Sequence, residues 1–223
     1  MDSDGSHVAI GAYENDGNGG NSGHVRIYSW DGSAWTQVGN DIDGEADEDF
    51  SGGSVSIDSD GSRVAIGAYG NDGTAFNAGH VRIYDTTPAV INSVSLATDN
   101  STIAVTFSEA VYNTNAGSGA LEVSDFTLSI SGGSATLSSS TPSSISASGN
   151  VYTLGISLSG YPTGAETLTV VPSSATAIYD AAGTAVSTSQ SNNTVSLNNI
   201  APTFDSVRLS ADNASVAVTA SET

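Results

Sequence analysis

The sequence predicts an all-β chain assembled from repeated units. Short runs place apolar residues at alternate positions, as in Ile103/Val105/Phe107, Phe126/Leu128/Ile130 and Tyr152/Leu154/Ile156/Leu158. That is the period of a half-buried strand. No segment sustains helical periodicity. Two separate blocks of sequence also recur at constant offsets, the mark of a repeat architecture.

The first recurrence has an offset of 56. Asp2-Ser3-Asp4-Gly5-Ser6-His7-Val8-Ala9-Ile10-Gly11-Ala12-Tyr13 returns as Asp58-Ser59-Asp60-Gly61-Ser62-Arg63-Val64-Ala65-Ile66-Gly67-Ala68-Tyr69. Gly23-His24-Val25-Arg26-Ile27-Tyr28 returns as Gly79-His80-Val81-Arg82-Ile83-Tyr84. The period fits one four-stranded β-propeller blade with generous loops. Strands are expected at Trp35–Val38, Ser54–Ile57, Arg63–Ala68 and His80–Tyr84. Asp-Gly and Asn-Asp-Gly punctuate them as turns, because glycine tolerates positive φ and aspartate bonds its own downstream backbone.

Phe50-Ser51-Gly52-Gly53-Ser54-Val55-Ser56-Ile57-Asp58, leading through Asp60-Gly61 to Val64-Ala65-Ile66-Gly67-Ala68, resembles an FG-GAP repeat of the integrin-α-like propellers. Ser51 interrupts the Phe-Gly pair, and Tyr69 stands where proline is usual. The resemblance covers about residues 1–86. It implies propeller blades in a secreted or surface protein that binds other macromolecules. A closed propeller needs about four to eight blades. Residues 1–86 hold about one and a half, so a longer parent array is expected.

Pro88 marks the expected boundary of the next part, since proline cannot donate to a ladder. About seven strands are expected beyond it, near 90–96, 102–107, 121–130, 134–138, 151–158, 166–171 and 193–198. Alternating strands with turns at such intervals predict an immunoglobulin-like β-sandwich over 87–200. The second recurrence, at offset 113, pairs Ser93–Asn100 with Ser206–Asn213 and Ile103–Glu109 with Val216–Glu222. Residues 201–223 are therefore expected to be the first strands of a second, truncated copy, marginal without further packing. Phe107-Ser108-Glu109-Ala110-Val111, Asp125-Phe126 and Ile178-Tyr179-Asp180-Ala181-Ala182-Gly183 are similar to bacterial Ig-like adhesin repeats. Where that family often has asparagine after the glycine, this chain has Thr184.

Composition narrows the function. The formal net charge is -20, with four arginines, Arg26, Arg63, Arg82 and Arg208, as the whole basic complement. Nucleic acid and anionic membrane surfaces are excluded as natural partners, because no basic patch offsets the repulsion. The absence of lysine excludes a Lys–Asn isopeptide cross-link, and the absence of cysteine excludes disulfides. Residues 1–20 are acidic and Gly/Asn-rich, unlike a signal peptide. The expected location is extracellular or at the cell surface, with signal and anchor outside this chain.

No catalytic constellation is expected. His24 and His80 are repeat-equivalent, and His7 aligns with Arg63. The hydrolase, zincin and phosphate-loop motifs are missing. Calcium is the candidate ion, since it takes about six to eight oxygens from carboxylates and carbonyls. Three acidic groups qualify. Asp2/Asp4 and Asp58/Asp60 resemble the front of the integrin-type calcium loop but lack its rear carboxylate. Asp41, Asp43, Glu45 and Asp47 lie at alternate positions, on one face if the loop is extended. Glu109, Asp125 and Asp180 fall at expected strand ends, where they could share an ion. Plain turns and solvated loops are the alternative for all three.

Trp30 and Trp35 flank Asp31-Gly32 and could form a sugar-stacking platform or pack between blades. Asn100, Asn192 and Asn213 begin formal glycosylation triplets. The expected role is structural or adhesive. The partners are an extracellular macromolecule, glycan or surface and further repeats of the parent chain. The alternative is a calcium- or carbohydrate-binding accessory region of a secreted hydrolase.

Overall fold

The computed structural model describes residues 1–199, 204–211 and 214–220. The remaining residues of the expected second copy over 201–223 lie outside the described residues. The chain is all-β, in several small antiparallel sheets. Among the described residues the one helical element is a 3-10 turn at Val123–Asp125.

In chain order the strands begin with β1 (His7–Ala12), β2 (His24–Trp30), β3 (Trp35–Asp43), β4 (Ser51–Ile57), β5 (Arg63–Ala68) and β6 (His80–Asp85). They continue with β7 (Ile91–Leu96), β8 (Thr102–Phe107), β9 (Val111–Tyr112), β10 (Phe126–Ser131), β11 (Thr136–Leu137) and β12 (Ile145–Ser148). The rest are β13 (Val151–Gly155), β14 (Leu158–Ser159), β15 (Thr167–Pro172), β16 (Tyr179–Asp180), β17 (Thr194–Ser196), β18 (Phe204–Leu209) and β19 (Val216–Ala220). These group into two compact units. One holds Met1–Val90, Phe107–Asp125 and Pro172–Ser189; the other holds Ile91–Thr106, Phe126–Val171 and Gln190–Thr223.

In the first unit, β1-β2-β3 and β4-β5-β6 form two three-stranded sheets. The repeat-equivalent strands pair in the same register: Ala9 opposes Ile27 as Ala65 opposes Ile83. The sheets bury one face of each. Val25 and Ile27, with Ala9, Val38 and Ile42, lie against Val64 and Ile66, with Val55, Ile57 and Tyr84. Burying each such aliphatic chain is worth about 1.5–3 kcal/mol. β3 runs to Asp43, beyond the expected Val38. A bulge between Val25 and Ile27 in the β2–β3 register, with Gly39 at φ +67°, lets it continue. A short β9–β16 pair completes this unit's strands.

In the second unit, β12-β13-β8-β7 and β10-β15-β17 are the larger sheets. Ile103 and Val105 of β8, Tyr152 and Leu154 of β13, Phe126 and Leu128 of β10, and Leu168 and Val170 of β15 are buried. Phe126 and Tyr152 meet at a ring-centroid distance of 6.3 Å. β12 was not expected; its serine- and alanine-rich sequence has no strand pattern, and the Gly149-Asn150 turn folds it onto β13. β10 starts at Phe126, later than the expected 121, because the preceding residues form the 3-10 turn. β18 and β19 pair as a hairpin whose Val207↔Val218 and Leu209↔Val216 pairs stay exposed.

Candidate functional site

The Asp-Ser-Asp-Gly turns bond their carboxylates mainly to their own serines, with Asp2 Oδ1 buried and, among the described residues, unpartnered. Asp2 and Asp58 accept the hydroxyls of Ser6 and Ser62 at 2.8 and 2.9 Å. Asp4 and Asp60 accept the backbone N–H groups of the same serines at 2.9 and 3.1 Å. The repeats differ at one position. His7, where the second repeat has Arg63, puts Nδ1 3.0 Å from Asp2 Oδ2. Burial raises the Asp2 pKa, but hydrogen bonds from the His7 backbone, Ser6 and the His7 ring outweigh it and leave it well below the usual carboxylate range.

The acidic run from Asp41 to Asp49 does not converge on one point. Arg26 grips both oxygens of Asp41, at 2.8 and 2.7 Å, and Gln37 adds a bond at 2.8 Å. The Arg26 hydrogen bonds hold the Asp41 pKa down at about 2. Glu45 pairs with Arg82. Asp47 is exposed beside Gly19. Asp49 turns inward, accepting from Glu45 N, Ala46 N and Asn71 Nδ2.

Two members of the run do meet a third ligand type. His24, Asp41 and Asp43 bring one ligand atom each to within 4.8 Å of one another. β2 supplies His24 and β3 supplies both aspartates, with His24 directly opposite Asp43. His24 Nδ1 lies 3.8 Å from Asp41 Oδ2. One imidazole and two carboxylates suit a zinc- or manganese-type ion better than calcium, which takes oxygen ligands. Arg26 competes for Asp41. His24, expected to be structural, was not among the sequence-based ligand candidates, because the cross-strand register that sets it beside Asp41 and Asp43 is not visible in the sequence.

Of Glu109, Asp125 and Asp180, Glu109 feels the charge of Asp180. Burial, then repulsion from Asp180 and from Asp85, raises the Glu109 pKa. Burial is also the main cause of the raised Asp180 pKa, against hydrogen bonds from Thr184 N and Ala182 N, both at 2.8 Å. Asp85, absent from the sequence-based set, adds its charge to both Glu109 and Asp180, whereas Asp125 does not figure among their causes. Asp125 instead accepts Glu122 N at 2.7 Å to close the 3-10 turn.

Glu166 is a buried anion that sequence reasoning did not find. Its carboxylate accepts the N–H groups of Ser134, Ala135, Thr163 and Gly164 at 2.8 to 3.0 Å, and the Thr163 hydroxyl at 3.1 Å. These bonds, that of Ala135 first, lower its pKa to about 2. Gly132-Gly133, both at positive φ, is the one local sign of the tight loop that receives it.

Trp30 and Trp35 face each other across β2 and β3 with centroids 5.5 Å apart, each about two-fifths exposed. Asn100 is buried and bonded to Asn198, which removes it as a glycosylation acceptor. No helix among the described residues is long and apolar enough to cross a membrane. No protein-family model, no curated protein and no solved structure matches the chain.

Proposed function

We propose that this chain is a non-enzymatic segment of a secreted or cell-surface repeat protein that binds or spaces extracellular macromolecules. In this reading residues 1–86 are FG-GAP-like propeller blades, 87–200 an immunoglobulin-like unit and 201–223 the start of another. What supports it is the face-to-face packing of β1-β2-β3 on β4-β5-β6, in which the equivalent strand pairs β1–β2 and β5–β6 share one register, as in consecutive propeller blades. The strong acidity and the use of most turn carboxylates as backbone acceptors fit a scaffold. Retention of the bead-coupled chain on arrays of glycans and extracellular proteins tests the proposal. Saturable retention on at least one surface supports it; retention on none removes the adhesive role.

A second reading, a carbohydrate- or metal-binding accessory region, draws on the exposed Trp30–Trp35 pair and the His24–Asp41–Asp43 group. Glycan binding that W30A and W35A abolish would favour it over pure spacing.

A further inference from the structure

The first repeat holds a strand segment in a glycine-floored slot. Phe50 N–H donates to Asn21 O at 3.1 Å, and Ser51 N–H to Ser22 O at 2.9 Å. Ser51 forms a parallel bridge with Gly23. A Cβ at Gly11 or Gly23 would collide with the backbone of Gly52 or Ser51, so both glycines are needed for the segment to enter. Past the slot the same segment becomes β4, whose Val55 and Ile57 pack against the Val25–Ile27 core.

Among the described residues, the second repeat carries the equivalent positions with no backbone segment laid over them, and the Ser54 hydroxyl lies over Gly67. Gly67, Tyr69, Gly79 and His80 stand for Gly11, Tyr13, Gly23 and His24. The backbone is set alike: Asn21 and Asn77 have φ 50° and 51°, Gly23 and Gly79 φ 75° and 65°. A pocket opens there, lined by Gly67, Tyr69, Gly79, His80 and Val81. Among the described residues no backbone donor reaches the carbonyls of Asn77 or Ala78, the equivalents of the two occupied acceptors. Val81 and Ile83 are 68% and 71% exposed, against 0% and 3% for Val25 and Ile27.

We propose that this face of β4-β5-β6 is a binding site for an extended strand of the pattern Phe-Ser-Gly-Gly-x-Val-x-Ile, supplied by another molecule. The strand bonds to the Asn77 and Ala78 carbonyls, turns the Ser54 hydroxyl aside to lay its Gly-Gly backbone over Gly67 and Gly79, and covers Val81 and Ile83 with its two aliphatic residues. Recognition is strand addition, in which main-chain bonds give affinity and alternate side chains give specificity. The filled slot of the first repeat, equivalent to this one residue by residue, fixes the ligand class. A second copy of the chain could offer Val8, Ile10 and Tyr28 to Val81 and Ile83, but its own Phe50–Gly53 already fills its own slot. The inference stands on this internal precedent and does not depend on the adhesive role.

The test uses the full chain and the capped octapeptide Phe-Ser-Gly-Gly-Ser-Val-Ser-Ile, which is uncharged and so escapes repulsion by the net charge of -20. Calorimetry is expected to give saturable one-to-one binding, with NMR shifts confined to residues 65–69 and 77–83. V81D and I83D sit on an open face and leave the fold intact; each is expected to weaken binding at least tenfold. A peptide with Val-Val in place of Gly-Gly is expected not to bind. Absence of saturable binding overturns the proposal. So does affinity indifferent to I83D, or shifts centred on Val8, Ile10 and Trp35. Self-association of the chain that I83D abolishes and the peptide does not compete with overturns it in favour of a second copy.

Discussion

The fully buried Glu166 carboxylate accepts the Ala135 backbone N–H at 3.0 Å. With its other bonds this closes the loop around Gly132-Gly133 onto the segment before β15. Glu166 has a folded pKa of about 2 against an ordinary 4.5. Its contribution to stability is therefore complete above pH 4.5 and lost as pH falls toward 2. Urea midpoints of the native chain should drop through that window. E166Q should be destabilised at pH 7, because its amide turns N–H groups toward N–H donors, and should lose this part of the acid dependence.

Asp49 is the buried clamp between the two repeats, bonded to Glu45 N and Ala46 N at 3.0 Å and to Asn71 Nδ2 at 3.1 Å. D49A leaves these donors without their acceptor, at a cost of about 2–3 kcal/mol. Chemical denaturation is the measurement.

Ile27 and Ile83 are the same residue at the same position of two repeats, one buried and one exposed. I27A should cost about 2–4 kcal/mol through lost burial and a cavity, whereas I83A should stay within about 0.5 kcal/mol. Equal losses would mean that the second face is covered in solution.

Zinc should raise the thermal midpoint through His24, Asp41 and Asp43, and calcium at equal concentration should raise it less, because the group includes an imidazole. H24A should abolish the zinc effect. R26A, by freeing Asp41 Oδ2 and leaving Oδ1 to Gln37 alone, should strengthen it.

Glu109 has a raised pKa from burial and from Asp180 and Asp85. Its charged form opposes folding, so its contribution to stability falls as pH rises from 4.5 through the raised value. E109Q should stabilise the chain at pH 7 by a fraction of about 1 kcal/mol, since the group is partly solvated. The gain should vanish below pH 4.5. Scanning calorimetry at several pH values checks both statements.

Much of the strand pattern was readable from alternation. β8 and β15 bury every second residue, as Ile103/Val105/Phe107 and Leu168/Val170 indicate. The two-residue strands β9 and β16 were not readable, because two residues carry no period. Glu166 was hidden for a different reason: its donors at Ser134 and Ala135 lie 32 and 31 residues away, and one carboxylate among many acids gives no sign of burial. The Asp41–Asp43 pairing with His24 depends on the bulged β2–β3 register, which Gly39 permits but does not dictate.

The sequence by itself determined most of the longer strands, many of their turns and the identity of the two repeats at Gly11/Gly67, Gly23/Gly79, Val25/Val81 and Ile27/Ile83. The tertiary structure alone decided which member of each pair is covered. Local sequence sets backbone conformation and the face on which a side chain emerges. Burial is set by what stands opposite that face, and the hydrophobic driving force acts only on the surface removed from water. Identical residues thus became core in one sheet and open surface in the next.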